Sequence, residues 1–125
     1  MIPTATNIEK RIELLVQARN KLKSYAEDKA KALVDYEKNM AITMAQLKSG
    51  EKFYLDDCNG DPVEIQDTSA TNRKDLAKGI CHEWSMKHYL AEALYKNCSI
   101  QIDAIKAEMN GYQSINRHLS ETNNT

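Results

Sequence analysis

The 125-residue chain contains few of the residues that mark loop-rich or disulfide-bonded proteins. It has four glycines and two prolines, too few for a sandwich of many short strands or for a collagen-like chain. The three cysteines, Cys58, Cys81 and Cys98, lack any Cys-x-x-Cys spacing, which is typical of reduced thiols rather than of a disulfide scaffold. Aromatic residues make up only 6%, so we expect a core built mostly from leucine, isoleucine, methionine and alanine.

An excess of charge of one sign and long apolar runs are also missing. Seventeen basic residues against eighteen acidic ones leave a net charge of -1, unlike a histone-like polycation. No stretch approaches the roughly 18 consecutive apolar residues of a membrane-spanning helix. A charged segment followed by an apolar one, as in a secretory signal, is absent too. We therefore expect a cytoplasmic protein, bacterial or in a host cytosol, with no membrane partner.

Two long segments show helical periodicity. In residues 7–48 and 72–119, apolar residues recur at alternating steps of three and four, the spacing of an a/d seam. The first seam consists of Ile8, Ile12, Leu15, Leu22, Ala26, Leu33, Tyr36, Met40 and Leu47, and Arg19, Lys29 and Thr43 interrupt it. The second consists of Leu76, Ile80, Trp84, Ala91, Leu94, Cys98, Ile105, Tyr112, Ile115 and Leu119, and Lys87, Gln101 and Glu108 interrupt it.

The segment between them, 51–67, has the composition of a β-hairpin. Phe53 to Leu55 and Val63 to Ile65 are rich in β-formers, and Asn59-Gly60 between them predicts a tight type I′ turn.

These elements predict a mainly α protein. We expect a single domain over 1–125, in which the two helices form a long antiparallel, coiled-coil-like hairpin with the short β-hairpin at its tip. A bend or a close helix contact is expected at Gly79 or Gly111, because glycine weakens a helix, and residues 120–125 are expected to fray.

The apolar positions are too widespread for one helix–helix contact, which favours self-association into a multi-helix bundle, most simply as a dimer. A monomer with exposed apolar patches is the alternative. The predicted oligomer interface consists of Leu15, Leu22, Leu33, Trp84, Leu94 and Ile105.

Negative charge concentrates in the predicted hairpin, where one lysine in residues 51–70 stands against six acidic residues. Such a tip is either a solvated turn or a docking site for a protein partner with a basic surface. The predicted partner-binding residues are Asp56, Asp57, Asp61 and Glu64.

The metal-binding motifs that the sequence suggests are incomplete. His82-Glu83 is not followed by a second histidine at position 86, as a zincin requires, and Cys81 with His88 gives two ligands where zinc takes three or four. A core cysteine and a surface histidine are the simpler interpretation.

The acidic turn does not complete a calcium loop either, because Leu55 and Gln66 occupy positions that need carboxylates. We therefore predict no catalytic residues, no cofactor and no metal, and expect that the protein is not an enzyme. A small enzyme or metal protein built on Cys81, His82 and His88 is a contrasting hypothesis.

The leading functional hypothesis is a non-enzymatic protein-interaction module that oligomerises through its helices. Small helical proteins of this kind are common among phage and mobile-element inhibitors and accessory factors, and a nucleic-acid-handling enzyme with a basic groove is a natural target for an acidic tip. The alternative is direct nucleic-acid binding through the basic residues of helix 1, which are Lys10, Arg11, Arg19, Lys21, Lys23, Lys29 and Lys31.

Overall fold

The computed structural model describes residues 4–67 and 69–123. Its elements are three helices, α1 (Thr4–Lys48), α2 (Ala70–Ile80) and α3 (His82–Asn123), and two strands, β1 (Phe53–Asp56) and β2 (Pro62–Ile65). The prediction of a mainly α protein with a small β-hairpin is confirmed. Helix α3 continues to Asn123 through most of the predicted tail, and the last two residues of that tail lie outside the described part. None of the described helices is long and apolar enough to cross a membrane.

Helix α1 ends at a glycine, as the sequence predicts. Gly50 has a φ of +90°, a left-handed conformation that favours glycine because a Cβ would be strained there. Its N–H donates to Leu47 O at 3.0 Å, and the N–H of Glu51 donates to Gln46 O at 3.0 Å. These two bonds are the pattern of a Schellman motif, which satisfies the last carbonyls of the helix.

The chain divides into two compact units, one formed by the described residues of 1–27 and 92–125 and the other by those of 28–91. Each unit contains a part of α1 and a part of α3. The single-domain organisation and the long continuous hairpin therefore stay predictions, and each unit is described by itself below.

In the first unit the two helix segments run antiparallel and meet at small residues. The buried cluster consists of Ala18, Cys98 and Ile102, and Leu15, Leu22, Tyr25 and Ile105 pack against it. The thiol of Cys98 donates to the backbone oxygen of Ala18 at 3.3 Å, so the helices approach closely at this point. Further along, Arg11 Nε lies 2.6 Å from Glu108 Oε2.

In the second unit, α2 and the start of α3 pack on the end of α1. Leu47 and Ala77 are fully buried, and Thr43 and Cys81 nearly so. Thr43 Oγ1 and Cys81 Sγ lie 3.3 Å apart, which gives the buried hydroxyl a hydrogen-bonding partner.

An ion pair also fixes the chain between β2 and α2 in this unit. Arg73 donates from Nε and Nη2 to Asp67 Oδ2, at 3.1 and 2.9 Å, and both side chains are largely buried.

The buried stripe of each long helix differs from the predicted seam at several positions. Leu15, Leu22 and Tyr36 are half-buried as expected, but four positions in each helix are shifted by one residue. In α1, Arg11, Ala18, Tyr25 and Ala32 are covered in place of Ile12, Arg19, Ala26 and Leu33. In α3, His88, Tyr95, Ile102 and Met109 are covered in place of Lys87, Leu94, Gln101 and Glu108.

At three of these positions the shift keeps a polar side chain in water. The predicted seams contained Arg19, Lys87 and Gln101, whose charges and amide would need partners once removed from water. With the shift, all three are exposed.

The predicted second helix is divided at Cys81. The interruption is one residue long, and the hydrogen bonds continue across it, from Cys81 N to Ala77 O at 2.9 Å and from Ser85 N to Cys81 O at 3.0 Å. His82 Nδ1 lies 3.0 Å from Gly79 O, an oxygen that a backbone N–H at the end of α2 also bonds. The bend or close contact expected at Gly79 or Gly111 stays a prediction; a Cβ at Gly79 would lie 3.8 Å from Leu55 Cδ1, an ordinary contact distance.

Two alanine variants test the position of the buried stripe in the first unit. Ala18 is 8% exposed beside the Cys98 thiol, so Ala18→Leu should overpack the contact and lower the free energy of unfolding by about 1–3 kcal/mol. Ala26→Leu, on the exposed position that the sequence had favoured, should change it by less than about 0.5 kcal/mol. Thermal unfolding followed by circular dichroism compares them, and the opposite order would contradict the observed stripe.

Candidate protein-interaction site

The predicted partner-binding residues lie on the β-hairpin of the second unit. Strands β1 and β2 pair antiparallel, from Phe53 opposite Ile65 to Asp56 opposite Pro62. Gly60 N donates to Asp57 O at 3.1 Å, and Gly60 has a φ of +82°. This is a three-residue loop with a left-handed glycine at its end. The predicted type I′ turn is wrong, because it would need a positive φ at Asn59 as well, and Asn59 does not have one.

Asp57 has a structural task in this loop. Its Oδ1 accepts hydrogen bonds from the backbone N–H of Asn59 at 2.8 Å and of Asp61 at 3.0 Å. A carboxylate that bonds the backbone two residues on is a common stabiliser of turns. Asp57 therefore holds the loop closed, and its charge is partly engaged before any partner arrives.

Glu64 is also engaged, though weakly. Its Oε1 lies 3.2 Å from Lys52 Nζ, and the two side chains are 44% and 55% exposed. Ion pairs this accessible to water contribute only about 0–1 kcal/mol, so a partner could displace Lys52 at little cost.

Asp56 and Asp61 differ from the other two carboxylates. Both residues are exposed, and neither side chain makes a hydrogen bond or an ion pair with the residues that the structure describes. The fold does not use these two charges, so they are the part of the predicted cluster that is free to meet a basic surface.

The sequence prediction missed Tyr54. Successive side chains of a strand alternate between faces, and Phe53 and Leu55 are half-buried whereas Tyr54 and Asp56 are exposed. Tyr54 is 64% exposed on the same face as Asp56, and tyrosine is enriched in protein interfaces. The period of two in Phe53 to Asp56 was the available signal, because it places an aromatic ring on the same face as Asp56.

A groove of about 540 Å³ runs beside β1. Its lining residues are Tyr54, Leu55, Asp56, Gly79, His82 and Glu83. Three consecutive strand residues contribute, which places the groove along an edge of the strand. Asp56 and Glu83 add two carboxylates to it.

The hydrogen-bond alternation of the hairpin identifies the backbone groups on that edge. Asp57 N donates to Asp61 O at 2.8 Å, and bonded pairs recur at every second position of an antiparallel ladder. Phe53 and Leu55 therefore bond β2, whereas the N–H and C=O groups of Tyr54 and Asp56 point the other way. No third strand lies beside β1 among the described residues, so this edge can take an extended peptide segment.

The six residues of the predicted oligomer interface lie in different environments. Leu15, Leu22 and Ile105 pack inside the first unit, where they cover its buried cluster. Trp84 is half-buried, with Lys87 Nζ 4.7 Å from its ring centroid. The remaining two are exposed, Leu33 at 37% and Leu94 at 50%.

The residues of the contrasting metal hypothesis do not converge. Cys81 is buried against Thr43, as a core cysteine should be. His88 is half-buried rather than on the surface, and its ring stacks on Tyr36 with centroids 6.4 Å apart. Within the described part of the chain, no three histidine, cysteine or acidic side chains are grouped as metal ligands would be.

The basic residues of α1 do not form one face. At about 100° per residue, Lys10, Arg11 and Arg19 point in three different directions around the helix axis. Arg11 is in addition held by Glu108. A phosphate backbone is bound by a stripe of positive charge, which this arrangement does not supply.

Comparison with protein-family models, with curated proteins and with solved structures found no match to this chain. The functional argument therefore depends on the chain's own geometry.

A pair of aspartate variants tests the structural role assigned to Asp57. Asp57→Ala removes the acceptor of two backbone N–H groups, so the hairpin amides should lose roughly 1 kcal/mol of protection against hydrogen exchange. Asp56→Ala should leave that protection unchanged because its carboxylate bonds nothing in the hairpin. Equal losses in the two variants would contradict the assignment.

Proposed function

We propose that this protein is a non-enzymatic interaction module that associates through its helices and binds the basic surface of a protein partner through its acidic hairpin. A phage or mobile-element inhibitor or accessory factor acting on a nucleic-acid-handling enzyme would have these properties, because such enzymes carry basic grooves that attract carboxylates. The proposal includes a coiled-coil-like pairing of the helices and a cytoplasmic location.

The observation that carries the proposal is the exposed face of the hairpin. Tyr54 and Asp56 are exposed on one face of β1, Asp61 is exposed beside the start of β2, and the two carboxylates have no task in the fold. Unused charge beside an exposed aromatic ring is expected of an interface, where the ring supplies contact area and the charges supply orientation.

Self-association is supported by the small core. Seven side chains are buried among the described residues, whereas fourteen large apolar ones are at least 37% exposed. Exposed apolar surface on this scale marks sites of association. The alternation of three and four residues in the covered positions supports the coiled-coil-like pairing. The three free cysteines support a reducing compartment.

A double charge reversal tests the hairpin. Asp56→Lys with Asp61→Lys should weaken binding to the partner that the wild-type chain captures, once it is purified, by more than tenfold. The loss should appear mainly as slower association at low salt, because exposed charges steer the encounter. Surface plasmon resonance measures the rates, and circular dichroism should show unchanged helix content.

Glu37→Lys with Asp75→Lys is the matched control. It makes the same change in net charge with two exposed residues of the same unit, and neither residue lines the groove. We expect this control to bind as the wild type does. If both variants bind the partner equally more weakly, net charge alone explains the effect. If the folded hairpin variant binds as the wild type does, the hairpin is not the docking site.

A further inference from the structure

The two outer edges of the hairpin differ in their capacity to accept another strand. Pro62 lies opposite Asp56 at a position that makes no hydrogen bond within the hairpin, so its nitrogen faces the outer edge of β2 and supplies no donor there. Proline protects sheet edges in this way. On the outer edge of β1, Tyr54 and Asp56 both have an N–H group, and neither residue bonds anything else among the described residues through its backbone. The open edge of the hairpin is therefore that of β1.

The groove lies between this open edge and the point where α2 gives way to α3. A Cβ at Gly79 would lie 3.8 Å from Leu55 Cδ1, so the end of α2 packs on the face of β1 that carries Leu55. Glu83 follows Gly79 by about one helical turn and lines the groove from that side. Asp56 lies on the opposite face of β1, because side chains alternate along a strand. A third strand in the groove would therefore meet one carboxylate on each of its two faces.

The charge of the groove indicates what kind of strand fits it. Of the six described residues that line it, two are carboxylates, one is His82, and none is lysine or arginine. Glu83 is exposed and, like Asp56, its side chain makes no hydrogen bond or ion pair with the residues that the structure describes. Both charges are therefore available to cationic side chains of a partner. The exposed ring of Tyr54, on the same face as Asp56, adds a surface on which an arginine can stack.

A second copy of this chain fits the same edge poorly. Its own β1 would bring another Asp56 and another Asp57 to a groove that already holds two carboxylates. Like charges that face each other across a strand pair are destabilising. The occupant that matches the groove is therefore a cationic segment of a different protein.

From these observations we infer that the groove beside β1 binds an extended basic segment of the partner protein as a third strand. Adjacent residues of a strand point to opposite faces, so two consecutive basic residues would meet Asp56 on one face and Glu83 on the other. Backbone hydrogen bonds to Tyr54 and Asp56 supply affinity in this mode of binding, and the side chains supply specificity. The inference rests on the proposed function, of which it names the binding mode and the kind of segment that is bound.

Two capped hexapeptides of identical composition test the arrangement of the basic residues. In Thr-Val-Arg-Arg-Val-Thr the arginines are consecutive and point to opposite faces of a strand, whereas in Thr-Arg-Val-Arg-Val-Thr they share one face. The peptide with consecutive arginines should bind the wild-type chain about fivefold more tightly, which corresponds to one additional exposed ion pair. Titrations followed by amide NMR shifts give both dissociation constants. Equal affinities, or no binding of the first peptide at about 1 mM, would overturn the inference.

A pair of variants at Tyr54 tests the backbone pairing. Tyr54→Pro removes an N–H from the open edge, and the proline ring would project toward the incoming strand. Tyr54→Val loses the same aromatic ring but keeps the N–H, and valine favours strands. The peptide with consecutive arginines should bind Tyr54→Pro about tenfold more weakly than Tyr54→Val. Because position 54 does not bond β2, the amide shifts of β2 should show the hairpin intact in both variants.

A substitution on α3 gives a second measurement that leaves the strand unchanged. Glu83→Gln should weaken binding of the peptide with consecutive arginines about fivefold, because one of its two ion pairs is lost. Asp75→Asn is the control, since Asp75 is exposed on α2 and does not line the groove, and it should bind this peptide as the wild type does. Wild-type affinity in Glu83→Gln would overturn the two-carboxylate recognition.

The outcomes separate this inference from the proposed function. If the captured partner binds the charge-reversed hairpin weakly but binds Tyr54→Pro and Tyr54→Val equally well, the docking role stands and strand addition is overturned. If the captured partner binds all three variants as it binds the wild type, both are overturned. If the wild-type chain is a dimer that Tyr54→Pro dissociates and Tyr54→Val does not, a second copy occupies the edge, which overturns the basic segment as its occupant.

Discussion

Two packed helices can each bury only one stripe of side chains, and this limit governs the rest of the structure. In the first unit the buried stripe rests on Ala18, Cys98 and Ile102. Small side chains bring the helix backbones together, as the bond from the Cys98 thiol to Ala18 O shows, but each of them removes little area from water. The larger apolar residues of α1 and α3 are therefore left on the surface, and association with other molecules is the direct way to cover them.

The sequence was sufficient to predict the elements, because helical period, the Asn-Gly turn and the stop at Gly50 are local signals. It was not sufficient to predict which stripe is covered. A helix with apolar residues on more than one side has several candidate seams. A prediction from periodicity favours the seam with the larger apolar side chains. Size favoured Leu33 over Ala32, but the partner helix decides the contact, and small residues allow the closest approach. At Arg19, Lys87 and Gln101 the cost of burying a polar group decided against the predicted position.

In the hairpin too, the sequence predicts some features, whereas others depend on the conformation of the loop. The excess of carboxylates is visible in the sequence, and the cluster of four predicted residues lies on one hairpin as expected. Which carboxylates are free depends on the loop conformation. Asp57 became a turn acceptor because the loop has three residues rather than two, and that choice was not visible from Asn59-Gly60 alone. The exposed ring of Tyr54 could have been found by following the strand alternation through to Asp56.

The two proposed contacts, between copies and with a basic partner, depend on different interactions. Association through the exposed apolar residues of the helices would depend on removing apolar area from water, which salt screens very little. Docking through the hairpin would depend on Asp56 and Asp61, whose attraction for a basic surface falls off over about 8–10 Å at physiological ionic strength. Added salt would therefore weaken the contact made by the hairpin and leave the contact between copies in place. A chain that makes both contacts would stay assembled while its partner comes and goes, because the apolar contact does not respond to the ionic conditions that control the charged one.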